Sequence, residues 1–193
     1  MEQIFVEDKT FDKVDFTKIF LTKGEYENCM FKNCNFSNSD LTGIRFNECM
    51  FYGCNLSLAK LDKAAFRNIK FTECKMLGLL FNNCNPIGLS FSFKSCHLDH
   101  SSFYQTKIKK TTFVDSKLLE VDFAECDLTS SVFDNCDLSR ATFDRTIIEK
   151  TDFRTSFNFS IDPENNRIKK AMFSLSEIGG LLNKYDIEIE KTN

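Results

Sequence analysis

The chain has 193 residues, is 42% hydrophobic and carries a formal net charge of −3, enough material for one domain with a continuous core. The mildly acidic balance argues against a general nucleic-acid binder, so no direct nucleic-acid binding is expected. No apolar run approaches the ~20 residues that span a bilayer and the first twenty residues lack an apolar signal core, so a cytoplasmic protein with no membrane partner is expected.

In chain order, residues 1–10 are expected to form an N-terminal cap, with Phe5 and Val6 closing the first coil. From Phe11 through Phe81 every fifth residue is large and apolar, fifteen of fifteen. The series slips by two across 85–92, which holds Pro86, and resumes from Phe93 through Phe153, thirteen of thirteen. An amphipathic helix repeats near 3.6 residues and a half-buried strand near 2. A period of five fits neither; it fits a chain that turns a corner after each short segment and sends one side chain per segment to an internal axis. The slip reads as a two-residue insertion at a corner, with a partner-contacting protrusion as the alternative. After residue 160 the period stops. Ile161-Asp162-Pro163-Glu164 reads as a turn, and Ser174 with Glu177 has capping-box spacing. Leu175, Ile178, Leu181 and Leu182 would then lie on one face of a short helix, and Ile187-Glu188-Ile189-Glu190 alternates as a short strand. Residues 161–193 are read as a cap and a possible dimerisation module.

The residue two places before a repeated apolar centre is mostly small. Cys29, Cys34, Cys49, Cys54, Cys74, Cys96, Cys126 and Cys136 hold that place, and Cys84 holds it relative to Pro86. Elsewhere the place is filled mostly by Gly, Ala, Ser or Thr. Cysteine is therefore read as a small buried residue, not as a metal ligand or redox pair, because the C-x4-C spacing matches neither. No nucleophile–base pair, phosphate-binding glycine loop or histidine–carboxylate cluster stands out from the repeat, so no catalytic residue, cofactor or metal is expected.

The unit is thus small, polar, large apolar, polar, polar, as in Cys34-Asn35-Phe36-Ser37-Asn38 and Cys136-Asp137-Leu138-Ser139-Arg140. It resembles the pentapeptide-repeat family over about residues 6–160. The resemblance implies an all-β solenoid, a right-handed quadrilateral β-helix with four pentapeptides per coil and about 7–8 coils, or about 35–40 Å of rod at roughly 4.8 Å per coil. Positions twenty apart should then stack, so Cys34, Cys54 and Cys74 should form a column that Cys96 and Cys136 extend.

Within the family the chain is most similar to the microcin B17 immunity and quinolone-resistance subgroup. The residues carrying that likeness are Phe91-Ser92-Phe93 followed by Cys96-x-Leu98, the Ile161-Asp162-Pro163-Glu164-x-Asn166-Arg167-Ile168 turn, and Gly180-Leu181-Leu182 to Ile189. It implies a non-enzymatic DNA mimic that binds DNA gyrase or topoisomerase IV and protects it from a poison. It also implies a homodimer through Leu175, Ile178, Leu181, Leu182, Ile187 and Ile189. The other reading is an interaction scaffold with no topoisomerase partner. Residues 1–110 hold 12 acidic and 15 basic residues, net +3, whereas 111–162 hold 11 acidic and five basic, net −6. Asp115, Glu120, Asp122, Glu125, Asp127, Asp134, Asp137 and Asp144 are accordingly the candidate gyrase-facing surface. The plasmid quinolone-resistance members carry projecting loops, and no long loop interrupts this repeat, so a microcin-like toxin fits better than a quinolone.

Overall fold

The computed structural model describes residues 4–190. The chain winds into a parallel β-solenoid with four faces. Face 1 is a seven-stranded parallel sheet of Thr10–Asp12, Met30–Lys32, Met50–Tyr52, Ile69–Thr72, Phe91–Lys94, Thr112–Val114 and Val132–Asp134. Faces 2 and 3 follow around the coil and are held by single parallel bridges such as Asn35↔Asn55 and Asp40↔Lys60. Face 4 begins as a four-stranded sheet of Ile4–Glu7, Gly24–Glu27, Arg45–Asn47 and Ala65–Arg67, and continues as the bridges Lys107↔Asp127↔Ile147↔Arg167.

Pairing runs in steps of twenty, as in Phe11↔Phe31 and Phe31↔Phe51, so chemically alike centres lie on top of one another. On face 1 the rings of Phe93, Phe113 and Phe133 stack with centroids 5.0 and 4.6 Å apart and planes within 10°. Neighbouring faces meet edge-on, as Phe113 and Phe123 do at 81°, so stacked and T-shaped contacts alternate through the core. One coil cannot cover its own centres, and burial comes only from the coils above and below. Each buried centre contributes roughly 1.5–3 kcal/mol.

The small place has a second duty. Its side chain donates to the carbonyl of the coil beneath. Ser131, Thr146, Thr151 and Ser156 bond the carbonyls of Ile108, Phe123, Leu128 and Phe133 at 2.7–3.2 Å. The thiols of Cys49, Cys54 and Cys74 make the same contact with Tyr26, Phe31 and Phe51 at 3.3–3.4 Å. Cysteine, serine and threonine interchange there because all three are small and can donate. The expected column forms, with Ser116 between Cys96 and Cys136; its hydroxyl receives the Cys96 N–H at 3.1 Å. Burial pushes the Cys49 and Cys126 thiols up to about 12, which removes the thiolate that reactivity requires.

At most corners a residue takes a left-handed backbone, among them Asn33, Lys63, Glu120 and Lys150 with φ of 53–59°. Asn and Gly are favoured there, and the charged residues among them are held by stacking with the coils on either side.

The slip is a two-residue corner insertion on face 4. Pairing jumps to steps of 22 at Ile69↔Phe91 and Lys75↔His97, then returns to twenty. The extra residues form a tight loop whose tip is Ile87, 69% exposed. Leu89 and Phe91 re-enter the core, and Phe71 stacks on Phe93 across the slip at 5.4 Å.

Both ends differ from the sequence expectation. Residues 4–10 are not a cap: Ile4–Glu7 pairs in register with Gly24–Glu27, and Val6 occupies the centre one period before Phe11. Phe5 points outward, 58% exposed, and closes nothing; residues 1–3 of the expected cap lie outside the described residues. At the other end stacking continues past 160, through Ile147↔Arg167 and Asp152↔Met172, to Phe173 on Phe153. The C-terminal helix is 3-10, Leu175–Leu181, and Ser174 does not cap it: its hydroxyl contacts that of Ser176 at 3.0 Å instead. Gly179-Gly180 lowers helix propensity enough that the segment follows the surface beneath it. Residues 187–190 form no strand. Among the described residues no helix is long and apolar enough to cross a membrane.

Candidate functional site

The acidic residues fall into three kinds according to their place in the five-residue unit. Those just before a centre make the turn. Their carboxylates accept the N–H of the residue two places on: Asp122 from Ala124 at 2.9 Å, Asp127 from Thr129 and Asp137 from Ser139 at 3.1 Å, as Asp15, Asp40 and Asp152 also do. An Asp or Asn here replaces a missing backbone acceptor and fixes the corner. Asp127 is only 8% exposed, additionally bound by the Thr129 hydroxyl and by Lys109 at 3.1 Å. Asp122, Asp127 and Asp137 are thus already occupied in holding the coil.

Burial pushes the Asp127 carboxyl up, but the Thr129 hydroxyl and N–H and the Lys109 ammonium outweigh it and hold the group below its ordinary 3.8. Asp137 is held low in the same way by Ser139 and Asn158 against its burial. The Arg154 guanidinium and N–H hold Asp152 low. A folded pKa below the unfolded one gives stability that is present above the unfolded value and is lost as pH falls through the folded one. The urea midpoint should therefore be flat from about pH 8 to 5 and fall below about pH 4. Asp127→Asn keeps the acceptor but cannot be protonated, so its midpoint should fall less steeply with acid than that of the wild-type protein. Parallel acid limbs would show that Asp127 takes no part.

The second kind sits at the left-handed corners and pairs up and down the rod. Glu120 lies between His100 Nδ1 at 3.1 Å and Arg140 at 2.7 Å, and Glu125 between Gln105 at 2.7 Å and Arg145 at 2.8 Å. Asp144, of the third kind, just after a centre, lies 3.3 Å from the same Arg145 and contacts Asn165. These pairs are exposed and contribute little stability, but they neutralise the charge that Glu120, Glu125 and Asp144 would offer a partner.

Asp115 and Asp134 remain. Both are exposed and adjacent in successive coils, with the Asp115 N–H bonded to the Asp134 carbonyl at 2.9 Å. Neither has an ion pair among the described residues. Their carboxylates accept neutral donors, Asn135 to Asp115 and Thr155 to Asp134, each at 2.8 Å. Asp134 also borders a groove of about 400 Å³ with Val132, Asp152, Arg154 and Thr155. The eight candidates do not gather on one face. Asp134 is on face 1, Asp137 on face 2, Asp122 on face 3 and Asp127 on face 4. Asn135 and Thr155, which orient this acidic couple, escaped the sequence reading; their signal was a spacing of twenty from Asp115 and from Asn135.

The C-terminal segment folds over the last coil. The Lys184 ammonium lies 2.7 Å from Asp162 and 2.6 Å from Glu164, and the Tyr185 hydroxyl donates to Glu164 at 3.0 Å. Leu181 packs on the core and Leu182 is half-buried. Leu175 is 89% exposed, and Ile178, Ile187 and Ile189 also face outward. The dimer candidates therefore divide into two that help cover the rod's end and four that leave an apolar surface beyond it.

A family model described as a pentapeptide repeat region matches residues 24–92 and 79–153. Among solved structures, a trypsin-treated form of QnrB1, a plasmid-mediated fluoroquinolone resistance protein, aligns over 97% of this chain and 98% of its own. Its TM-score is 0.63 and its identity 16%. Full-length QnrB1 aligns over 95% of this chain and 100% of its own with TM-score 0.56 and 18% identity. No curated protein sequence matches the chain.

Proposed function

The chain belongs to the pentapeptide-repeat family, and from that premise we propose that it is a non-enzymatic, cytoplasmic protein that binds DNA gyrase or topoisomerase IV and shields it from a poison, a microcin-like toxin or a quinolone. The observation that carries this reading is the couple Asp115–Asp134: two exposed carboxylates without cationic partners among the described residues, on the coils leading to the C-terminal module. The end-to-end correspondence with QnrB1, a fluoroquinolone resistance protein, supports it. A basic enzyme surface attracts such a couple more than carboxylates already paired within the rod, because paired charges project little field.

Purified protein should preserve gyrase supercoiling in the presence of microcin B17 or a quinolone, or inhibit the enzyme when added alone. Asp115→Lys with Asp134→Lys should weaken that effect at least about tenfold, since each like-charge juxtaposition at an interface costs several kcal/mol. The same variant should keep its urea midpoint, because neither carboxylate receives a backbone N–H from its own turn. No effect of the wild-type protein on gyrase or topoisomerase IV at any concentration would sink the reading.

A second reading, a scaffold with no topoisomerase partner, draws on the division of acidic residues among four faces and their internal pairing at Glu120 and Glu125. An equal effect of the double variant and the wild type in the gyrase assay would favour it.

The chain acts as a homodimer in this proposal, through the apolar surface around Leu175 and Ile178. Leu175→Asp should convert dimers into monomers in light scattering while leaving the circular dichroism spectrum of the rod unchanged, because that side chain is 89% exposed on the single chain. A wild-type protein that is already monomeric would reject the dimer.

A further inference from the structure

Positive charge is segregated as sharply as negative. Between residues 107 and 170, face 4 with the corner that follows it carries seven cations and two acids, net +5; the rest of that stretch carries four cations and ten acids, net −6. The two acids on face 4 are already neutralised, Asp127 by Lys109 at 3.1 Å and Glu149 by Arg167 at 2.8 Å. Lys107, Lys110, Lys150, Lys169 and Lys170 are exposed and have no ion pair among the described residues.

These five form a ridge. Lys110, Ser130, Lys150 and Lys170 occupy the same left-handed corner of successive coils, with φ of 59–62°. Their backbones are tied by the bonds Lys110 N–H to Thr129, Ser130 N–H to Glu149 and Lys150 N–H to Lys169 at 2.9–3.0 Å. Lys107 and Lys169 flank the corner on face 4 itself. The three coil spacings from Lys110 to Lys170 span about 14 Å. A duplex carries about one phosphate per 1.7 Å of axis, or about eight over that length.

We propose that this lysine ridge docks the phosphate backbone of double-stranded DNA. A protein interface of useful affinity has aromatic, methionine or arginine anchors at its centre and is depleted in lysine. The ridge has no exposed apolar side chain; Ile147 lies half-buried beneath it. Lysine without an apolar anchor suits a partner whose affinity comes from counterion release, and an acidic membrane would be held more firmly by a surface that also inserts apolar groups. The net charge of −3 gives the opposite expectation only because it averages over faces that the coil keeps apart. The inference does not depend on a topoisomerase partner.

The test is fluorescence anisotropy of a labelled duplex of about 20 base pairs, titrated with the intact protein from about 25 mM salt upward. Binding is expected to weaken with salt, with a log–log slope no steeper than about −4.5 for five phosphate contacts. Lys110→Asn, Lys150→Asn and Lys170→Asn together remove three charges with a residue that tolerates the left-handed backbone. Affinity at about 25 mM salt should drop at least tenfold and the slope become shallower by about 2.7. The control triple Lys13→Asn, Lys63→Asn and Lys94→Asn changes net charge equally and should bind as the wild type does. Absence of wild-type binding at low salt overturns the proposal. So does equal weakening by both triples. Retention on phosphatidylglycerol vesicles without DNA binding overturns it in favour of a lipid surface.

Discussion

Phe113→Ala should lower the unfolding free energy by about 3–5 kcal/mol, the range for emptying a phenylalanine site in a close-packed core. Phe113 is fully buried, sandwiched face-to-face between Phe93 and Phe133 and met edge-on by Phe103 and Phe123. Four rings lose a partner at once, and the coils above and below are held at fixed spacing by backbone bonds, so the cavity cannot close by local collapse. The loss also breaks the rod at its middle: each coil is covered only by its neighbours, so a weakened layer separates two stacks that then unfold less cooperatively. Urea unfolding followed by circular dichroism should show an earlier midpoint and a smaller slope. Phe113→Leu keeps most of the volume and should recover much of the loss, whereas a midpoint within experimental error for Phe113→Ala would show that the stack is not the source of stability.

Gly180→Ala should detach the C-terminal segment while leaving the coils intact, at a cost of about 1–3 kcal/mol for overpacking. A Cβ at residue 180 would collide with the Phe159 carbonyl oxygen and lie 2.7–2.8 Å from its ring. Relief is hard, because the Gly180 carbonyl accepts the Ile161 N–H at 2.9 Å and so fixes the approach of the two backbones. Displacement would also pull Lys184 from Asp162 and Glu164. Hydrogen exchange at Ile161 and in 175–185 should accelerate by an order of magnitude or more, about 1.4 kcal/mol per factor of ten, with protection in 90–150 unchanged. Any dimer should be lost with it, since Leu175 and Ile178 would no longer be held in place. Gly179→Ala is the matched control: its Cβ would meet only the Ile189 side chain at an ordinary 3.5 Å.

The limits of the linear pattern follow from these residues. Val6 lies one period before Phe11, so the five-residue pattern itself extends into the first described strand, Ile4–Glu7. The 187–190 alternation is genuine but forms no strand, because pairing is a property of neighbours and not of the alternation itself. The capping-box spacing at Ser174 and Glu177 carried no information about the surface that dictates a 3-10 path. Asp122, Asp127 and Asp137 looked equivalent to Asp115 and Asp134 as negative charges. Their place before the centre, with Thr129 or Ser139 two residues on, marks Asp127 and Asp137 as turn-makers.

Sequence alone determined the solenoid, its five-residue period (the four sides were implied only by the family resemblance), the small place filled by cysteine, serine or threonine, and the two-residue slip. Each of these is a one-dimensional regularity, because stacking requires the same chemistry at every coil. Only the tertiary structure decided which charges survive as charges. Residues twenty apart become neighbours about 5 Å apart, so Arg140 silences Glu120 and Arg145 silences Glu125, and Lys109, eighteen residues before Asp127, silences it from the adjacent coil. Whether a charge is left without an ion pair among the described residues, as at Asp115 with Asp134 on one side and along the Lys110–Lys170 ridge on another, depends on coil-to-coil contacts and on the slip that sets which side each residue faces.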